Sequence, residues 1–336
     1  MQQKAAIPFK LMLSYYMVAP LSIGVMAYDQ LALGGAWQKV IPLSPYVFFF
    51  YAVFFNLPHI VCSSVMMLNR EYIGHYKKPL VWVIGAAIAL PFLAGWLIAY
   101  SGLGQLYGYL ISIFIFAAIT LYHVFMQQLG INKLFARDGH WAFDAIAWSN
   151  ILPGSGAYLL MFTFANAGNA HLYPIIYGLS VKTGVFCVGL ATFLYVFCWF
   201  RSKTTAGRIY LVANWLASIC GLLAIIYEYW LFALVVPRII HDLTAFTVYI
   251  NHDHNRYLEQ GAKSHPIYGP LQRIGMPALV LTPLLAIAIA LPITKGYVHV
   301  GWAMFYILAL IHYGTESFVW KNGTPHRKYI AFSGVK

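Results

Sequence analysis

The chain has 336 residues, of which 61% are hydrophobic and only 9% charged, against about a quarter charged in a soluble domain. That composition excludes a water-soluble globular protein and implies an integral membrane protein. The formal net charge of +12 is confined to short segments between apolar runs. It therefore fits orientation signals and anionic lipids at the cytoplasmic face, with no nucleic-acid partner.

A membrane-crossing helix needs about twenty mostly apolar residues. On that rule ten spans are predicted, at roughly 9–29, 43–68, 79–100, 105–129, 143–165, 174–200, 208–227, 230–252, 274–294 and 297–320. The fold expected is all-α: a polytopic helical bundle forming one transmembrane domain over 1–336. Lys4 and Lys10 flank the first run, which has no small-residue cleavage pattern and reads as a retained helix. Pro153-Gly154-Ser155-Gly156, inside the fifth run, predicts a break or kink. Only Tyr227-Glu228-Tyr229 separates the seventh run from the eighth, so one kinked helix or a re-entrant piece also fits there. Cys62, Cys187, Cys198 and Cys220 lie in apolar runs without C-x-x-C spacing and read as packing residues.

The loop charges give an independent test. Lys4 and Lys10; Arg70, Lys77 and Lys78; Lys133 and Arg137; Arg201, Lys203 and Arg208; Arg256, Lys263 and Arg273; and Lys321, Arg327, Lys328 and Lys336 occupy every second connection. By the positive-inside rule the number of spans is even and both termini are cytoplasmic, as in a multi-pass protein of the inner (plasma) membrane.

With that orientation the second, fourth, eighth and tenth spans run the same way. His59, His123, His241 and His312 each fall roughly 11 to 18 residues into one of them, at matching depth in the inner half of the bilayer. Ionisable groups in lipid are costly unless they face a cavity or each other, so four level imidazoles point to a metal site. Glu316 follows His312 by four residues and Gln127 follows His123 by four, so each shares its histidine's helical face. Asp242 or Glu316 is placed to take the second ring N–H of a ligand, and Arg238, one turn before Asp242, to pair with it or shape the pocket. A site of imidazoles with at most one carboxylate suits iron better than calcium or magnesium, with zinc or copper possible by ligand type. Iron in an apolar pocket implies dioxygen chemistry on a lipophilic substrate from the bilayer; zinc implies hydrolysis.

Three alternatives stand beside this. His241 with His254 and His299 with His312, each thirteen residues apart, echo bis-histidine haem pairs, although about 100° per residue puts such side chains about 140° apart in azimuth. A second, interfacial metal at His252 and His254 is another, since about 16 Å separates His252 from His241 along the axis. A transporter would need a polar path to both faces, and the outer halves of the even-numbered spans are apolar.

Leu57-Pro58-His59, Tyr122-His123-Val124-Phe125, Ile240-His241 and Ile311-His312 with Glu316 occur in the order of motifs in a known family. Here the sequence resembles the bacterial and archaeal membrane β-carotene dioxygenases related to the bacteriorhodopsin-related protein. The resemblance implies a polytopic helical iron enzyme that cleaves a carotenoid to retinal with dioxygen, and an electron-donor protein is a further partner to consider. Ala245 stands where that family has the second histidine of a pair one turn after His241. Either His312 replaces it, or the metal and the reaction differ.

Overall fold

The computed structural model describes residues 4–41, 51–100, 105–164, 171–295, 302–321 and 323–334. It is all-α apart from one parallel two-residue bridge, in which Ile7 and Pro8 pair with Phe332 and Ser333. Twelve helices are described: α1 (Phe9–Ala32, with a 3-10 turn at Tyr15–Met17), α2 (Leu57–Met66), α3 (Arg70–His75), α4 (Lys77–Tyr100), α5 (Gln105–Ala136) and α6 (Ala142–Phe164), then α7 (Tyr173–Arg201), α8 (Thr205–Ile226), α9 (Trp230–Gln260), α10 (Tyr268–Gln272), α11 (Ala278–Lys295) and α12 (Trp302–Val319). Each predicted run overlaps one of them. Among the described residues six segments are long and apolar enough to cross a membrane: Phe9–Ala32, Lys77–Trp96, Leu106–Ala136, Tyr173–Arg201, Thr205–Ile226 and Trp230–Lys263. The surface agrees, because Trp82, Phe92, Phe193 and Phe200 are each at least three-quarters exposed, a cost that lipid removes and water does not.

The chain divides into two compact units, and α9 contributes to both, with the division between His241 and Asp242. The first unit comprises 1–8, 49–101 and 242–333. In it α2 packs against α11 and α12, and α12 against α4. A Cβ on Gly314 would lie 2.6 Å from both Val83 methyls, so the glycine permits the close approach of α12 to α4. Cys62, Met66, Tyr72, Tyr76, Tyr249 and Val319 build the core around this contact.

The second unit comprises 9–48, 102–241 and 334–336. Here α5, α6, α7 and α8 pack in sequence, with α8 also against α5 and α1. The core between α5, α6 and α7 is built from Leu129, Phe143, Ile146, Ala191 and Tyr195. Thr204 caps α8 by accepting from the Gly207 amide at 2.9 Å and ties the cap to α5 by donating to the Phe135 carbonyl. Arg201 donates to Asp138 at 2.8 Å, fastening the end of α7 to the α5–α6 loop, and its guanidinium holds the Asp138 carboxyl below the usual range.

Two local expectations are resolved by the structure. Helix α6 runs unbroken through Pro153-Gly154-Ser155-Gly156. The two glycines serve packing instead: a Cβ on Gly154 would meet Leu121 Cδ1 at 2.7 Å, and one on Gly156 would meet Ser180 Oγ at 2.3 Å. The seventh and eighth runs are two helices, separated by Tyr227–Tyr229, where Glu228 adopts a left-handed φ of 60°. Tyr173 donates to the Glu228 carboxylate, and Tyr229 donates to the buried Asp29 at 2.6 Å. All four cysteines are free and buried, in keeping with a packing role.

Candidate metal centre

In the first unit α2 and α12 bring His59 and His312 together. Their Nε2 atoms lie 3.1 Å apart, with ring centroids 4.7 Å apart and planes at 78°. His59 is 2% exposed and His312 not at all. Leu57-Pro58 opens α2 after a π-helical turn at Ala52–Asn56, with the proline at its first turn, where no backbone N–H is needed.

The hydrogen bonds assign the tautomer of His59. His59 Nδ1 lies 3.1 Å from the Phe55 carbonyl and 3.1 Å from Asp242 Oδ1. A carbonyl and a carboxylate only accept, so Nδ1 carries the hydrogen and Nε2 the lone pair. Tyr51 donates to the other Asp242 oxygen at 3.1 Å. His312 Nδ1 lies 2.6 Å from Ser63 Oγ, which also lies 2.8 Å from the Ile60 carbonyl. With the Ser63 hydrogen on Ile60, Ser63 accepts from His312 Nδ1–H and His312 Nε2 presents a lone pair to that of His59, a pairing that a cation between them stabilises; with it turned to Nδ1, His312 Nε2–H donates to His59 Nε2.

The donor set fits a metal ion. Two nitrogens each about 2.0–2.1 Å from one ion stand about 2.9–3.4 Å apart at bond angles of 90–110°, and the observed 3.1 Å falls in that range. Both second ring nitrogens face a protein oxygen, as the outer nitrogens of metal-bound imidazoles do. Glu316, one turn after His312, is 7% exposed and offers a carboxylate oxygen within 4.8 Å of its ligand nitrogen.

No protein-family model, no curated protein and no solved structure matches this chain. Its chemistry is therefore read from its own residues.

In the second unit α5 and α9 bring His123 and His241 together, with ring centroids 4.7 Å apart at 78° and ligand nitrogens within 4.8 Å. Both are buried. Arg238, one turn before His241, is buried too and donates to Tyr158 Oη at 3.0 Å. Gln127 is half-buried on α5, whereas its neighbour Gln128 is 1% exposed and donates to the Pro237 carbonyl at 2.9 Å. The predicted site residues thus form two buried groups: His59, His312, Asp242 and Glu316 in the first unit, and His123, His241 and Arg238 in the second.

Sequence reasoning missed Tyr51 and Ser63. Ser63 had a signal, since it follows His59 by four residues and shares its face. Tyr51 had none beyond lying two turns before His59. Of the haem alternative, His254 is half-buried and His299 lies outside the described residues.

Proposed function

We propose that the protein is a multi-pass membrane metalloenzyme, an iron oxygenase acting on a lipophilic substrate, with its ion at the His59–His312 pair. The ten-span topology with cytoplasmic termini belongs to the same reading. The observation that carries it is the pair of buried Nε2 atoms facing each other at 3.1 Å, each ring held from behind by Asp242 or Ser63. A distance of 3.1 Å suits two nitrogens that would hold one ion.

Imidazoles with a carboxylate nearby favour iron among common redox metals and keep zinc as the alternative. Iron bound there supplies dioxygen activation. The chain's own residues do the remaining work. Asp242, held by Tyr51, orients His59; Ser63 orients His312; Glu316 offers a further oxygen; and the buried surroundings keep water from the site. From the resemblance, the substrate class is a carotenoid or another isoprenoid, delivered from the bilayer. From the sequence reading, His123 and His241 belong to the same centre.

The test is metal analysis of purified protein beside His59→Ala, His312→Ala and His241→Ala variants, followed by oxygen uptake with β-carotene in mixed micelles. Stoichiometric iron lost in the first two variants supports the centre. Its loss in His241→Ala as well supports the four-histidine assignment, and iron retained in both His59→Ala and His312→Ala ends the proposal. Zinc in place of iron, with no oxygen uptake, would move the reading to a hydrolase.

A further inference from the structure

A second buried polar constellation lies in the first unit, apart from the histidine pair. Tyr72 comes from α3, His252 and Asp253 from α9, and His326 from the segment after α12. Tyr72 Oη lies 2.8 Å from His252 Nε2, and His252 Nδ1 lies 2.9 Å from Asp253 Oδ1. The carboxylate only accepts, so Nδ1 carries the ring hydrogen and Nε2 accepts the phenol's proton. Thr282 Oγ1 lies 3.5 Å from the other Asp253 oxygen.

Hydroxyl, imidazole and carboxylate in this order form the constellation that activates a nucleophile. Here, however, no substrate can approach. Tyr72 and His252 are fully buried, and Asp253 is 5% exposed. The Tyr72 ring is covered by the His326 ring, 3.6 Å away at 29°, and by the Arg256 guanidinium, whose carbon lies 4.1 Å from the ring centre. Arg256 is in turn fixed by Glu71 at 2.7 Å. What crosses such closed packing is an electron, and along the hydrogen bond a proton.

We propose that Tyr72 is a redox-active tyrosine with His252 as its proton acceptor. Tyr72 gives one electron to a one-electron oxidant while its phenolic proton moves to His252 Nε2. The products are a neutral phenoxyl radical and an imidazolium paired with Asp253. Return of one electron from an external one-electron donor, and of the proton from His252, restores the phenol. A base at 2.8 Å is what such a transfer needs, because a proton acceptor must lie within hydrogen-bond reach.

The oxidant, by chemical class, is the oxidised transition-metal ion of the His59–His312 centre, and in that respect alone the inference rests on the function proposed above. Trp320 provides the intermediate aromatic. It follows His312 and Glu316 along one helical stripe, about 12 Å beyond His312, and its ring lies 6.4 Å from that of His252, 5.8 Å from His326 and 5.5 Å from Tyr249.

The experiment uses the full chain in detergent after chelator treatment, with photogenerated ruthenium(III) tris-bipyridine as the oxidant and persulfate as the electron sink. Frozen samples are read by electron paramagnetic resonance, with ring-deuterated tyrosine identifying the radical as tyrosyl. Because this oxidant replaces the metal, the result does not depend on the centre proposed above. Expected are a tyrosyl signal that falls at least fivefold in Tyr72→Phe, which keeps the ring packing, and oxidation at least tenfold slower in His252→Gln with loss of the solvent deuterium effect. Asp253→Asn, a milder change, is expected to slow oxidation several-fold. An undiminished signal in folded Tyr72→Phe, or unchanged rates in both His252→Gln and Asp253→Asn, would overturn the proposal.

Discussion

Replacing Asp242 by asparagine tests whether the carboxylate orients a metal ligand. The change keeps the shape, an oxygen facing His59 Nδ1–H, and a polar group facing Tyr51, but removes the charge. His59 retains the Phe55 carbonyl at 3.1 Å, so its tautomer survives. Losing an outer partner of a metal-bound imidazole lowers affinity about 10- to 100-fold. With one of two acceptors intact, the expectation is the lower end, about tenfold or about 1.4 kcal/mol. Asp242→Ala also strips Tyr51 of its acceptor and is expected near the upper end, about 2.8 kcal/mol, with a further loss of stability of about 1–3 kcal/mol for the buried hydroxyl. Iron retained against a graded series of chelator concentrations measures both, with circular dichroism as the control for folding. Asp242→Asn within twofold of the parent protein would refute the argument that this carboxylate sets the His59 ligand.

Two further predictions concern the second unit. Gly207→Ala would put a Cβ 2.4 Å from Ala136 Cα, rigid backbone of α5, and should cost about 1–3 kcal/mol in thermal unfolding; Gly24→Ala, with nothing within 4 Å, should be neutral or slightly stabilising. The Asp138 carboxyl is held down by Arg201, so its contribution is present above the unfolded pKa of about 3.9 and lost as pH falls through the lower folded value. With Arg201 44% exposed, the effect should stay under about 1 kcal/mol, and Asp138→Asn should flatten that part of the melting curve's dependence between pH 6 and pH 3.

Much of the helical layout was legible because apolar run length acts locally. The pairings show where that ended. His59 and His312 could be expected at one depth from position alone, but nothing in either segment says that Ser63 bonds to His312 or that Tyr51 supports Asp242, since each bond joins residues from distant parts of the chain. The break allowed for at Pro153–Gly156 does not occur, for the same reason. A break and a close helix contact require the same small residues, and only the neighbours Leu121 and Ser180 distinguish them. His252 was read as interfacial from its place in the run, and position could not show that it is fully buried against Tyr72, a partner 180 residues away.

By itself the amino-acid order determined an all-α membrane protein and the histidines that sit among apolar neighbours. Hydropathy and helical rise are properties of single segments. Only the tertiary structure decided what faces each buried ring, because Asp242 and His312 at His59, and Tyr72 at His252, are brought there from distant parts of the chain. That placement turns two buried rings into a candidate ligand pair, and a tyrosine into a group with a base in line.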